Sequence, residues 1–452
     1  MNRRLVVFVL ALCVVVSAAA TAGAAGKPVE PGNAKSSQFN SVSECGCHSS
    51  LVDEWTASMH AQALTDPLYL TKLEEGNKAT DGALGAFCNK CHGPVATMTG
   101  EIGGEMSTVS AESITCTFCH YAVGNQGEPG NTSQLVEPDG VRRAQLKDPQ
   151  APHPAAFNEF QTKAEICGGC HNVLHPVNNM HLESTYSEWQ KSPYAKQGIV
   201  CQDCHMSAQP GTIGPSKGTA AAGAPERDNI YRMTFVGGQV ALGPSELAVA
   251  RLKSAATLGL EVAEIVGPGQ EASVTVTTTN SGAGHYLPTG LTEVRQMWLE
   301  VSATDADGKK TVIGEHRFGT ELKDAEGNFP VELWEAEGIA SDDRIPPMES
   351  VKDSYTFTMP AGATQAEITA ALYYQSASDE FAKKAGVDNP TTEMASASSV
   401  VFASEEAKTQ GVQEPADAEK DELPWPVVFL TVVLVVGVLV VAIVLWRRRK
   451  SA

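Results

Sequence analysis

Apolar and polar residues alternate along five stretches of the second half of the chain: Leu258 to Ile265, Ser273 to Thr279, Met297 to Ala303, Tyr355 to Met359 and Glu367 to Tyr374. A period of two predicts strands with one buried face. Gly267-Pro268-Gly269 and Asp305-Ala306-Asp307-Gly308 punctuate the runs as turns. Residues 240–402 are therefore expected to form an antiparallel β-sandwich. Residues 36–210 lack this alternation. Gly and Pro interrupt them often, as from Gly124 to Gly130 and from Pro149 to Pro154. That region is expected to hold short helices, many turns and few strands.

Two purely apolar runs lie at the ends. Arg3 and Arg4 precede Leu5 to Val16, and small residues follow, which predicts a secretory signal over residues 1–25. Val427 to Leu445 is long enough to cross a bilayer, sits between Trp425 and Trp446, and is followed by Arg447-Arg448-Arg449-Lys450. The pattern predicts a transmembrane helix over residues 427–446, with an acidic, flexible stalk over residues 403–423. The expected placement is a chain anchored by one C-terminal helix, with its bulk on the extracytoplasmic side, in a periplasm or at a cell surface.

The net charge is −20, which argues against nucleic acid as a partner. The acidity suits a partner with a basic docking patch. It suits plain solubility equally well.

The 11 cysteines change the picture most. Eight form four CxxCH units: Cys88-Asn89-Lys90-Cys91-His92, Cys116-Thr117-Phe118-Cys119-His120, Cys167-Gly168-Gly169-Cys170-His171 and Cys201-Gln202-Asp203-Cys204-His205. This spacing is the attachment site of c-type haem: two thiols bind the vinyl groups and the adjoining His faces the iron. Cys13 falls in the leading apolar run. Cys45-Gly46-Cys47-His48 is a CxCH, one residue short of the motif. There a fifth haem is expected, held by Cys47 alone with His48 on the iron; the alternative is an empty site and a count of four. A zinc scaffold can also use Cys and His, but the uniform His after each second Cys and the export signal argue against it. With so little chain per haem, the porphyrins must form much of the core. The expected fold class is thus mixed: mainly short helices and loops around stacked c-type haems, then the antiparallel β-sandwich and one C-terminal transmembrane helix.

The chain has 11 His. His48, His92, His120, His171 and His205 belong to the motifs and are the expected proximal ligands. Of the other six, His60, His175 and His181 stand first as distal ligands because they neighbour motifs in sequence. His285 follows, in a Gly-flanked loop, Gly282-Ala283-Gly284-His285-Tyr286-Leu287-Pro288-Thr289-Gly290. His153, in Ala151-Pro152-His153-Pro154, comes next. His316, on an expected strand, reads as an ordinary His. An internal echo joins Glu54-Trp55-x-x-Ser58-x-His60-Ala61 to Glu188-Trp189-x-x-Ser192-x-Tyr194-Ala195. It reads either as two similar helix ends or as two copies of a haem-packing helix, the second without its His.

These residues carry a resemblance. The run from the first motif through Glu54-Trp55 and Ser58 to His60-Ala61 resembles the multihaem cytochromes c related to the tetrahaem electron acceptor of hydroxylamine oxidoreductase. Leu182 to Tyr194, Cys201 to Met206, Gly284 to Gly290 and Asp343-Arg344-Ile345-Pro346-Pro347 are similar to runs in extracytoplasmic multihaem cytochromes, the last two in those with a C-terminal β domain. The resemblance implies electron transfer by c-type haems and axial roles for His60 and His285. Arg227 to Gly238 resembles a stretch in which His often stands at the place of Met233, which raises a His/Met haem. The expected function is electron relay between redox proteins or a quinol-oxidising membrane donor and an external acceptor. The alternative is a haem oxidoreductase acting on a small nitrogen or sulfur compound at a five-coordinate iron. The sequence leaves the oligomeric state open.

Overall fold

The computed structural model describes residues 30–411, Pro244 excepted. The second half is built from two antiparallel sheets. One has three strands, ordered Ser350–Thr358, Glu271–Asn280 and Ala256–Glu261. The other has four, ordered Lys310–Phe318, Gln296–Asp305, Gln365–Gln375 and Thr392–Phe402. Their inner faces share one apolar cluster. Val274 and Val276 come from the first sheet, and Leu299, Val301, Ile368 and Leu372 from the second, all fully buried. The period-two alternation causes this arrangement, because it delivers every second side chain to the same face. Lys310–Phe318 and Thr392–Phe402 were not foreseen, nor was a separate ribbon of Thr320–Lys323 with Gly338–Asp342. In Thr392–Phe402 the inward residues include small ones, Ala395 to Ser399, which mute the contrast between faces.

The first half contains short helices, and each haem-type motif lies at least partly in one: Gly46–His48, Ala83–His92, Cys116–Tyr121, Glu165–Gly168, past whose end the motif runs on to His171, and Cys201–His205. The expectation of few strands there is corrected. Three two-stranded ribbons lie between the motifs, made by Ala122–Asn125 with Gln134–Val136, Arg142–Ala144 with Ala155–Phe157, and Val173–Leu174 with His181–Glu183, and a fourth, Ser216–Thr219 with Glu226–Ile230, follows the last motif. The Gly- and Pro-rich connections supply their turns, so segments without alternation still pair locally.

The expected fold class is corrected in its membrane part as well. No helix among the described residues is long and apolar enough to cross a membrane, so a single C-terminal anchor and the placement derived from it are not supported. Residues 427–446 and the signal at 1–25 lie outside the described residues. The architecture is one of short helices and several small sheets, not a plain stack of haem-bearing loops. The start of the expected stalk is ordered: Glu405–Gly411 is helical, and Lys408 pairs with Glu264 at 2.6 Å.

Candidate haem centres

One cavity of about 1380 Å³ runs through the first half and against the second. It exceeds the roughly 300–1,000 Å³ of an ordinary small-molecule site. All eight CxxCH thiols, Cys45, Cys47 and the five motif His line it. So do His60, His153 and His285.

These three pair across it with motif His. His60 and His171 have ring centroids 6.4 Å apart, His205 and His285 6.2 Å, and His48 and His153 6.3 Å. Rings in van der Waals contact would lie closer. Two metal–imidazole bonds of about 2 Å, with the half-width of each ring behind its nitrogen, put centroids roughly 6 Å apart. The spacing therefore fits one metal between each pair.

The orientation of the motif His follows from their outer nitrogens. Nδ1 faces the carbonyl of Ala220 at 2.7 Å in His48, of Ala63 at 2.8 Å in His92, of Arg143 at 2.7 Å in His120 and of Val236 at 2.7 Å in His205. A carbonyl only accepts, so each Nδ1 carries the proton and Nε2 keeps its lone pair for a metal. Burial, aided by neighbouring imidazoles, pushes His60 and His205 down to about 3, and burial also lowers His92 and His120. Neutral imidazole is the ligating form.

His171 differs. Its Nδ1 faces the Glu183 carboxylate at 3.1 Å. Burial opposes the charged ring, but the hydrogen bond and charge of Glu183 outweigh it and hold His171 up at about 9. Desolvation opposes the Glu183 anion too, and His171 overcomes it, so the carboxyl is lowered. The open face of the His171 ring looks into the cavity, which both residues line.

Motifs distant in sequence meet through their thiols. Cys45 lies against Cys116, Cys91 against Cys170 and Cys167 against Cys201. The facing thiol is the main cause that lowers Cys45 to about 7 and lowers Cys91 and Cys201. The unit around His171 thus touches two others.

The internal echo has a structural counterpart. The Trp55 indole donates to the Ile114 carbonyl at 2.9 Å, and the Trp189 indole to the Ile199 carbonyl at 2.8 Å. Each acceptor stands two residues before a motif, at Cys116 and at Cys201. Both copies therefore pin the entry of a motif helix. His60 and Tyr194 occupy matching short helices, Met59–Gln62 and Pro193–Lys196.

Of the three His ranked first by sequence proximity, only His60 meets a motif His. His175 does not line the cavity, and its Nδ1 accepts from the backbone N–H groups of Val177 and Asn178 in a tight turn. His181 is exposed on a ribbon strand. His153 and His285, ranked lower, are at the cavity because loops distant in sequence fold back on it. His316 sits in the four-stranded sheet against Asp353 at 2.8 Å. Met233 lines the cavity, held by its N–H to Glu54 at 2.8 Å. His92 and His120 gain no second imidazole, since the three remaining His all lie off the cavity. Tyr69 stacks on His92 at 3.7 Å. Glu183 and Glu188 were missed as site residues. The one available signal was the Glu-Trp pair of the echo.

Residues 44–121 match the family described as "Cytochrome c554 and c-prime". No curated protein matches the chain. Among solved structures, the chain is similar to a penta-heme cytochrome c552 from Thermochromatium tepidum, at 19% identity over 80% of this chain and 99% of that one, with a TM-score of 0.59. A CARDB domain from Pyrococcus furiosus matches 32% of this chain and 85% of its own at 15% identity, and its TM-score of 0.19 carries no weight. A relation to hydroxylamine oxidoreductase is not among these likenesses. The family match and the likeness of fold together support a multihaem c-type cytochrome that binds haem c and transfers electrons.

Proposed function

We propose that this chain is an electron relay that binds five haems, one at each CxxCH and one at Cys47 and His48, and passes electrons between redox proteins. The observation that carries the reading is the set of three His pairs at 6.2–6.4 Å, each joining a motif His to a distant one in a single cavity lined by all the motif thiols. Haem supplies one-electron chemistry. The chain's own residues fix the rest. Cys88 and Cys91, Cys116 and Cys119, Cys167 and Cys170, and Cys201 and Cys204 hold each group in place. His48 with His153, His171 with His60, and His205 with His285 would each hold an iron between two imidazoles, an arrangement that would favour electron transfer over binding of substrate. Contacts between Cys45 and Cys116, Cys91 and Cys170, and Cys167 and Cys201 keep successive units adjacent, as a relay needs. The net charge of −20 suits a partner with a basic docking face.

Intact mass of the mature protein, with a spectroscopic haem count, tests this. Five covalent haems are expected, and Cys47→Ser should remove one. Four haems with no change in Cys47→Ser would strike out the CxCH site, and none would overturn the reading.

A second reading has its own support. His92 and His120 have no second imidazole at the cavity. An iron open on one side there would suit an oxidoreductase acting on a small nitrogen or sulfur compound. A high-spin signal that shifts with nitrite, hydroxylamine or sulfite would favour this reading, and a wholly low-spin spectrum would exclude it.

A further inference from the structure

The β half does more than stand beside the cavity. It lends His285 to it, on a loop that begins with a close approach: a Cβ on Gly282 would lie 1.9 Å from the Ser254 carbonyl oxygen. What holds this loop against the first half is a buried carboxylate. Glu188, in the helix Thr185–Lys191, is 5% exposed. One of its oxygens accepts from Ser184 Oγ at 2.6 Å and from the Arg344 guanidinium. The other accepts from the Tyr286 N–H at 3.1 Å and from Thr289 Oγ1 at 2.8 Å. Tyr286 and Thr289 belong to the His285 loop, and Arg344 reaches in from the β half. Arg344 is itself buried, bonded on its other edge to Asp342 at 2.8 Å, and lies over the Tyr286 ring at 5.0 Å. Within the β half, Asn280 Nδ2 donates to the His285 carbonyl at 2.8 Å. The loop's polar contacts to the first half run mainly through Glu188, with Thr185 Oγ1 beside it bonded to Thr289 Oγ1 at 2.8 Å, and His285 Nδ1 bonds the Tyr286 carbonyl of its own loop at 2.9 Å.

We propose that Glu188 is a positioning residue: bound to Arg344, Tyr286 and Thr289, it latches the β-half loop so that His285 faces His205, and the β half thereby governs the coordination of that one iron. The inference rests on the reading that His205 and His285 share an iron. A buried carboxylate ringed by donors tolerates little displacement, because moving it strands both an anion and a guanidinium away from water. The latch is therefore rigid when complete and fails when one partner goes. The first copy of the echo offers a matched control. Glu54 bonds Arg232 at 3.0 Å and the Met233 N–H at 2.8 Å, and touches nothing in the His285 loop.

The test uses the full haem-loaded chain, read by optical and electron paramagnetic resonance spectra with added imidazole. Glu188→Gln and Arg344→Met should each convert one haem's worth of low-spin signal to high-spin, with the haem count unchanged, and imidazole should restore it. Glu54→Gln should leave the iron at His205 low-spin. His285→Ala should reproduce the Glu188→Gln spectrum. If His285→Ala alters nothing, the shared-iron reading fails and the latch with it. If His285→Ala goes high-spin while Glu188→Gln and Arg344→Met stay low-spin, the latch alone fails. A high-spin signal in Glu188→Gln that imidazole cannot reverse also counts against it, since that marks collapse rather than a freed ligand. Should Glu188→Gln yield no loaded protein, Thr289→Val removes one donor to Glu188 together with its bond to Thr185 and should give a partial, imidazole-reversible conversion. A fully low-spin Thr289→Val would then overturn the latch.

Discussion

The β half fills its interior with its own side chains: Val274, Val276, Leu299, Val301, Ile368 and Leu372 meet between two sheets at 0% exposure. The motif half surrounds a cavity of about 1380 Å³ instead. Its apolar cluster around Val95, Phe118, Tyr121 and Val136 borders that cavity at Phe118 and does not fill it. The difference teaches where each half's stability comes from. Aliphatic burial stabilises the first kind of interior without outside help. The second kind gains its central apolar surface only with the group its thiols bind, so binding and folding are coupled there.

The largest expected effect follows directly. Chain produced without haem attachment should be cut throughout residues 36–210 in limited proteolysis, while a fragment containing residues 240–402 survives. Equal resistance in both halves would erase the contrast. A smaller effect should come from the β core. Leu299→Ala ought to destabilise the β half by about 2–5 kcal/mol in chemical denaturation, with the haem count unchanged. A loss of haem in that variant would mean that the halves do not hold their interiors separately. The finest expected effect separates one iron from the rest. Only His171, among the motif His, donates to a carboxylate instead of a carbonyl. A nearby anion stabilises the oxidised iron. Glu183→Gln should therefore raise the midpoint potential of one haem and leave the others in place, as read in a spectroelectrochemical titration. A titration curve identical to the parent's would assign Glu183 no role beyond packing.

How much was legible in the sequence differs between the halves for a physical reason. Five strands of the sandwich could be read from alternation, because a strand's two faces are set by immediate neighbours. Thr392–Phe402 could not, since small residues blur its faces. In the motif half, the ribbons Ala122–Asn125 and Gln134–Val136 arise from turn chemistry that leaves little trace in hydropathy. The proximal His could be read because each follows its Cys directly. The distal ones could not be ranked by distance along the chain. His175 stands four residues from His171 and turns away into its own backbone, while His60, 111 positions earlier, faces His171 at 6.4 Å.

The sequence alone determined the chemistry: thiols spaced for c-type haem, a His bonded to the end of each motif, and an acidic chain with one alternating, self-sufficient half. These depend on covalent order within a few residues. Only the tertiary structure decided which His meets which and that Glu188 holds the His285 loop through Arg344. Such contacts join residues 80 or more positions apart, and their geometry comes from how distant segments fold together around the cavity.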